Sequence, residues 1–246
     1  MASTPEGDTG ETPVIVHLAG RAGVMESWQS PLATYCANIV PTATVLDSGR
    51  RHNAHVIFVS SYLYGMPQHL PINEEHPIAP ANPYARSKHF AEELCRAYAE
   101  DFGLNVTVLR LFNIFGPGQP DSQVVPHIVN QAINGETISV ADMAPRRDYL
   151  WVDDFVDALV CTIDTPGTGF NVFNVGYGRS HSVGELIDLV AEIAGPIKSI
   201  DRAEHRQGEI PDCVCDNTKF RKFYDWHPKV DLRTGLERMF AAGHAS

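Results

Sequence analysis

Three residues of the chain have the types and spacing needed to remove a proton from an alcohol: Ser60, Tyr84 and Lys88. Tyr84 and Lys88 are four residues apart, so in a helix their side chains lie on one face. A phenol with a pKa of about 10 is a weak base near neutral pH, but a neighbouring ammonium group lowers that pKa. A serine hydroxyl can hold the substrate oxygen beside the phenol. The set therefore indicates proton transfer during oxidation of an alcohol.

The spacing of Tyr84 and Lys88 by itself is also common on solvated helix faces, so the surrounding elements decide the interpretation. Residues 55–59 are an apolar run that predicts a buried strand, and Ser60 follows at its carboxyl end, where α/β sheets place their sites. Residues 83–102 predict a helix that carries Tyr84 in its first turn and ends at Gly103. These elements favour the catalytic interpretation.

Apolar periodicity along the rest of the chain predicts alternating strands and helices. Further strands are predicted at residues 14–18, 106–112, 137–140, 147–152 and 170–175. Further helices are predicted at residues 30–51 with Ser30 as the cap, 124–134, 153–164, 182–194 with a capping box, and 232–242. This alternation indicates an α/β fold with a parallel sheet.

Seven stretches resemble the extended short-chain dehydrogenase/reductase family, the NAD-dependent nucleotide-sugar epimerases and dehydratases. In the family's order they are residues 16–20 (VHLAG), 60–65 (SSYLYG), 82–88 (NPYARSK), 109–119 (LRLFNIFGPGQ), 147–154 (RDYLWVDD), 173–176 (FNVG) and 206–209 (RQGE). The resemblance extends from about residue 14 to the C-terminus. It implies a Rossmann-like, doubly wound parallel sheet with a smaller C-terminal substrate-binding lobe.

The resemblance also implies roles for individual residues. Tyr84 would be the base, Lys88 would lower its pKa and bind the nicotinamide ribose of NAD(P), and Ser60 would hold the sugar hydroxyl. Asn38 would contribute a residual contact to the cofactor. The positions that hold the nucleotide diphosphate correspond to Asn113, Arg147, Arg206 and Glu209. Guanidinium groups suit a diphosphate because they form charge-assisted, often bidentate hydrogen bonds.

The two positions after Ser60 bear on the reaction. The family's 4,6-dehydratases place an acidic pair there, and the related decarboxylases keep a Glu at the second position, whereas this chain has Ser61 and Tyr62. The difference argues against both eliminations. It favours a sugar 4-epimerase or a ketoreductase that acts on a UDP- or dTDP-sugar.

No G-x-G-x-x-G turn, which would hold the cofactor pyrophosphate at a helix N-terminus, precedes the first predicted strand. Residues 1–13 have almost no apolar side chains and predict a disordered or extended segment. We therefore expect a truncated Rossmann-like domain at residues 14–115, with residues 153–175 returning to it, and a mainly substrate-binding lobe at residues 116–246. NAD(P) binding would then be weak, and strand 14–18 would be an edge that pairs with another chain in a homodimer or hetero-oligomer.

Two other functions stay open from the sequence. The chain would fit a non-catalytic helper homologue that binds a nucleotide sugar or a full-length partner. It would also fit a nicotinamide-independent epimerase or lyase that uses Tyr84 for proton transfer only. Binding of NAD to the purified protein would distinguish these functions from the first.

The composition argues against several other classes of protein. Thirty acidic residues against 19 basic ones give a net charge of −11, which disfavours nucleic acid and anionic membranes as partners. No stretch has the length and apolar character of a membrane span. Five scattered cysteines suit a reducing cytoplasm. Cys213 and Cys215 would point to opposite sides of a strand, and the histidines lack metal-binding spacing, so no metal site is expected.

Overall fold

The structure is a computed structural model that describes residues 12–202 and 209–243. It consists of two compact units. The first comprises the described residues up to Ser60 together with Asn82–Leu109 and Thr162–Val172. The second comprises Ser61–Ala81, Arg110–Cys161 and the described residues from Phe173 onward. The segment 1–13, for which the sequence predicts disorder or an extended conformation, lies almost entirely outside the described residues.

The strands of the described residues are, in chain order, β1 (Val14–His17), β2 (His55–Ser61), β3 (Val106–Leu111), β4 (Asn113–Phe115), β5 (Ile138–Val140), β6 (Arg146–Trp151), β7 (Phe170–Val175), β8 (Ser180–Ser182) and β9 (Ser199–Asp201). The helices are α1 (Val24–Gln29), α2 (Pro31–Arg51), α3 (Pro83–Phe102), α4 (Val124–Ile133), α5 (Val152–Asp164), α6 (Val183–Ala194), α7 (Thr218–Tyr224) and α8 (Leu232–Gly243). None of these helices has the length and apolar character needed to cross a membrane.

The first unit is built on a sheet with the strand order β1-β2-β3-β7. β1 and β2 pair in parallel, and β1 lies at the edge of the sheet as the described residues form it. Most residues of β2 and β3 are buried, as expected when a sheet is covered on both faces. The core joins buried side chains of α2, β2, α3 and β3. The α/β, Rossmann-like architecture that the sequence predicts is confirmed.

The ends of α3 follow the sequence prediction closely. The side chain of Asn82 accepts a hydrogen bond from the backbone N–H of Ala85 at 2.8 Å, and Pro83 occupies the first helical turn, where a missing N–H costs nothing. Gly103 ends the helix with a φ of +68°, a conformation that glycine adopts without strain. This helix therefore presents Tyr84 and Lys88 at a defined position.

Ser30 occupies the N-cap position of α2 and Pro31 its first turn, as the sequence predicts. Ser30 precedes the helix, but its side chain makes no capping hydrogen bond. The reason is that Ser30 also ends α1, since its backbone N–H donates to the carbonyl of Glu26 at 2.9 Å. One residue thus serves two helices, since its carbonyl also accepts the N–H of Thr34 in α2 at 3.1 Å.

The second unit contains a sheet with the order β4-β6-β8 and a separate pair, β5 and β9. β4 is parallel to β6, and β6 is antiparallel to β8. Buried side chains of β4, β5, β6, α4, α6 and α8 form its core. The capping box predicted for Ser182 and Glu185 at the start of α6 is confirmed. The sequence did not predict β4, β8 and β9, which are three residues long and depend on pairing with distant strands.

Candidate active site

β2 and α3 bring Ser60 and Lys88 together in the first unit. The Nζ atom of Lys88 donates a hydrogen bond of 2.7 Å to the carbonyl of Val59, the residue before Ser60. The Oγ atom of Ser60 is buried and has no hydrogen-bond partner among the described residues. A buried, unsatisfied hydroxyl costs about 1–3 kcal/mol. Ser60 Oγ therefore keeps a hydrogen-bonding capacity that no described residue uses.

Tyr84 lies in the first turn of α3, half-buried, one turn before Lys88. Ser87 supports this turn, since its Oγ donates a hydrogen bond of 2.7 Å to the carbonyl of Tyr84. The helical spacing of four residues places the Tyr84 and Lys88 side chains on one face. The first unit thus brings together the three residues for which the sequence predicts a catalytic role.

Burial controls the charge of Lys88. The side chain is 7% exposed, and its Nζ atom lies 4.6 Å from the centre of the Phe58 ring. Burial lowers the pKa of Lys88 from 10.5 to about 8, and the carboxylate of Glu92 opposes that change. Lys88 is therefore cationic below about pH 8.

Asn38 connects the loop after β1 to α3. Its Nδ2 donates to the carbonyl of Arg21 at 3.1 Å and to the Oγ of Ser87 at 2.7 Å. Its Oδ1 accepts the backbone N–H of Arg21 at 2.8 Å. Protein groups therefore use both amide hydrogens of Asn38, the residue for which the sequence predicts a cofactor contact. These hydrogen bonds fix the loop after β1 beside α3.

Gly20 packs closely against the Asn38 amide, in the loop after β1. A Cβ at this position would lie 2.7 Å from Asn38 Oδ1 and 3.9 Å from Lys88 Nζ, and its φ is +155°. Only glycine fits here without displacing the Asn38 amide. This close approach brings the loop backbone near the Asn38 amide and the Lys88 ammonium group.

His17, for which the sequence predicts no role, lies at the end of β1 and is buried. Thr42 Oγ1 uses its hydrogen to donate to the carbonyl of Asn38 at 2.6 Å. His17 Nε2 lies 3.0 Å from Thr42 Oγ1 and must therefore be the donor in the hydrogen bond between them. Burial lowers the pKa of His17, and the charge of Lys88 lowers it further. Both effects favour the neutral form of His17.

A second polar cluster lies on one face of the β4-β6-β8 sheet, in the second unit. Asn113 on β4 is in register with Tyr149 on β6, and Arg147 lies two residues before Tyr149 on the same face. Asn113 Oδ1 and the Tyr149 hydroxyl are buried without a hydrogen-bond partner among the described residues. Burial raises the pKa of Tyr149 to about 12, and the nearby Arg147 charge opposes that rise. Sequence reasoning missed Tyr149, although its position two residues after Arg147 was a signal.

Arg147 is held by the segment that carries Glu209. One guanidinium nitrogen, Nη2, forms an ion pair with the Glu209 carboxylate. The other, Nη1, donates to the carbonyls of Ile210 and Arg146, both at 2.7 Å. The structure thus brings together Asn113, Arg147 and Glu209, whereas Arg206 lies outside the described residues.

The second cluster has the chemistry of a site for phosphate and hydroxyl groups. It offers a fixed guanidinium, a phenol, an amide oxygen and a carboxylate, which together can bind oxyanions and accept ribose hydroxyls. No group of three or more metal-ligating side chains occurs among the described residues. The residues of this cluster favour an organic phosphate as the ligand.

Known proteins resemble the chain over most of its length. The profile of the NAD dependent epimerase/dehydratase family matches residues 8–176. A UDP-glucose 4-epimerase of Azospirillum brasilense is 31% identical over 245 residues, which are 91% of this chain and 70% of that protein. A dTDP-glucose 4,6-dehydratase of Streptomyces griseus is 31% identical over 234 residues, 94% of this chain and 71% of that protein.

A solved structure shares the fold. The UDP-glucose 4-epimerase of Thermotoga maritima, determined with UDP-glucose, superposes with a TM-score of 0.85 at 28% identity. The match covers 95% of this chain and 78% of that chain.

Proposed function

The chain belongs to the NAD dependent epimerase/dehydratase family, and from this premise we propose that it binds a UDP- or dTDP-sugar and epimerises the sugar at C4 or reduces a keto sugar. The family and the names of its relatives support an enzyme that acts on nucleotide sugars. The observation that carries the proposal is the buried hydroxyl of Ser60, which has no hydrogen-bond partner among the described residues and follows the Val59 carbonyl that Lys88 binds. Lys88 lies one helical turn after Tyr84.

The proposed chemistry follows from these three side chains. The cationic Lys88 stabilises the phenolate of Tyr84, which removes the proton from the sugar hydroxyl. The hydroxyl of Ser60 holds the same oxygen and gains a hydrogen-bond partner, which none of the described residues provides. Lys88 and Tyr84 would hold the ribose of NAD(P), and the nicotinamide would supply the hydride acceptor.

The residues after Ser60 favour epimerisation or ketone reduction over dehydration. The relatives include both an epimerase and a dehydratase at 31% identity, so similarity alone does not select the reaction. Ser61 and Tyr62 provide no carboxylate where the dehydratases carry their acidic pair. The Tyr62 ring instead stacks on Phe112, with the ring centres 5.4 Å apart. The elimination of water therefore lacks its acid and base at this place.

Exposed apolar side chains on neighbouring helices support a dimer or larger assembly. Leu32 on α2 is 75% exposed, Trp28 on α1 is 58% exposed and Phe90 on α3 is 50% exposed. Burying such side chains against a second chain would remove apolar surface from water. Light scattering that gives the mass of a monomer at micromolar concentration would contradict this assembly.

The experiment that tests the function combines binding and turnover. Calorimetry should detect binding of UDP-glucose or dTDP-glucose to the wild-type chain. The variant Tyr84→Phe should bind the same nucleotide sugar but should not interconvert the sugar in the presence of NAD. If the wild type binds neither nucleotide sugar, the proposal is wrong. Binding without turnover under all conditions would favour the helper homologue. Turnover without nicotinamide would favour the nicotinamide-independent enzyme.

A further inference from the structure

We propose that Asp148 is a positioning residue for the nucleotide diphosphate, because its buried carboxylate anchors the segment that holds Arg147. This segment, residues 209–217, is called the clasp segment below. The inference rests on the proposed function of Arg147 as the diphosphate contact. Asp148 itself acts without touching the ligand.

The carboxylate of Asp148 joins two separate stretches of backbone. Its side chain is fully buried, and its Oδ1 accepts the N–H of Tyr177 at 2.7 Å. Its Oδ2 accepts the N–H of Gly178 at 2.8 Å and that of Cys215 at 3.1 Å. Burial raises the pKa of Asp148 to about 6, and these N–H donors oppose the rise. One side chain thus ties the turn after β7 to the clasp segment.

Close packing at Gly176 shows how tightly the clasp segment is held at this end. A Cβ on Gly176 would lie 2.5 Å from the Cβ of Cys215 and 3.1 Å from Oδ1 of Asp148. The Nδ2 of Asn217 donates to the carbonyl of Gly176 at 2.8 Å. Any side chain at position 176 would therefore push the clasp segment away from Asp148.

The other end of the clasp segment meets the guanidinium of Arg147. The N–H of Arg146 donates to the carbonyl of Pro211 at 2.8 Å, and Arg147 bonds the carbonyl of Ile210 and the carboxylate of Glu209. Successive side chains of a strand point to opposite faces, so Asp148 and Arg147 lie on opposite faces of β6. The clasp segment wraps from one face to the other and transmits the position of Asp148 to Arg147.

An asparagine cannot replace this carboxylate. In Asp148→Asn an NH2 group takes the place of one oxygen, so it faces a backbone N–H that needs an acceptor. The clasp segment should loosen, and the affinity for UDP should fall roughly tenfold, the effect of losing one hydrogen bond to a charged group.

The matched control is Asp154→Asn. Asp154 is 2% exposed, and its carboxylate accepts the N–H groups of Lys229 and Val230, both at 3.0 Å, which lie outside the clasp segment. This variant should lose stability as Asp148→Asn does. Its affinity for UDP should stay within about twofold of the wild type, because the clasp segment keeps its anchor.

The test measures UDP binding by calorimetry and the labelling of Cys215 by a thiol reagent, mapped by mass spectrometry. Cys215 is 2% exposed, so it should react slowly in the wild type and in Asp154→Asn, and faster in Asp148→Asn. If Asp148→Asn does not fold, Gly176→Ala displaces the same segment sterically and should show the same two changes.

The outcomes separate the two proposals. A wild type that fails to bind UDP overturns the proposed function, and the role assigned to Asp148 falls with it. A wild type that binds UDP, with equal affinity losses in the Asp148 and Asp154 variants, overturns the positioning role alone. If Cys215 is labelled at the wild-type rate in both Asp148→Asn and Gly176→Ala, the positioning role is overturned as well.

Discussion

Replacing Ser60 by alanine should stabilise the free protein and abolish its activity. The Oγ of Ser60 is buried and lacks a hydrogen-bond partner among the described residues, so the folded state holds a desolvated hydroxyl that the unfolded state exposes to water. An unsatisfied polar group of this kind costs about 1–3 kcal/mol. Part of that gain is lost to the small space left by the oxygen. We expect the free energy of unfolding to rise by about 0.5–2 kcal/mol.

Ser87→Ala is the matched control. Ser87 is also a buried serine of the first unit, but its Oγ accepts from Asn38 Nδ2 at 2.7 Å and donates to the carbonyl of Tyr84 at 2.7 Å. Its removal leaves one amide hydrogen of Asn38 without its acceptor and takes one donor from the Tyr84 carbonyl. The free energy of unfolding should therefore fall by about 1–3 kcal/mol.

Urea unfolding of the two variants and the wild type, without ligand, gives the comparison, and sugar turnover gives the activity. Opposite signs for Ser60→Ala and Ser87→Ala are expected. Equal destabilisation by both substitutions would refute the reasoning, because it would mean that Ser60 already has a partner in the free protein.

Three further predictions concern Lys88, Arg147 and the affinity for NAD. The pKa of Lys88 is about 8 in the folded state and 10.5 for a lysine side chain exposed to water, so activity should fall as the pH rises through 8. The free energy of unfolding should gain a contribution from Lys88 between pH 8 and 10.5, because only the unfolded state binds the proton in that range. A pH-rate profile and urea unfolding across this range check both signs. Arg147→Ala should weaken UDP binding by about 1.5–3 kcal/mol, while Arg146→Ala should change it by less than about 0.5 kcal/mol, because Arg146 pairs with Glu185; equal affinities of the two variants in calorimetry would contradict the assignment. The described residues contain no G-x-G-x-x-G turn between a strand and a helix, so the 246-residue chain should bind NAD no tighter than about millimolar; NAD that stays bound through purification, seen by mass spectrometry, would contradict this.

Local sequence patterns determined the elements that carry the catalytic candidates. The apolar run before Ser60, the Asn82-Pro83 start of α3 and the Gly103 end depend on residues within a few positions of one another. Helix caps and strand periodicity are local effects, so they can be read without knowledge of the fold. The spacing of Tyr84 and Lys88 on one helix is of the same kind.

Only the tertiary structure decided which distant side chains meet and which stay unsatisfied. Asn38 gives its amide hydrogens to Arg21 and Ser87, Tyr149 comes beside Asn113 through the register of β4 and β6, and Asp148 reaches Cys215, 67 positions away. The short strand β4 forms because β6 pairs with it. These contacts depend on how separate segments pack and align. Packing and alignment are set by burial and hydrogen bonding over the whole unit, and no local pattern encodes them.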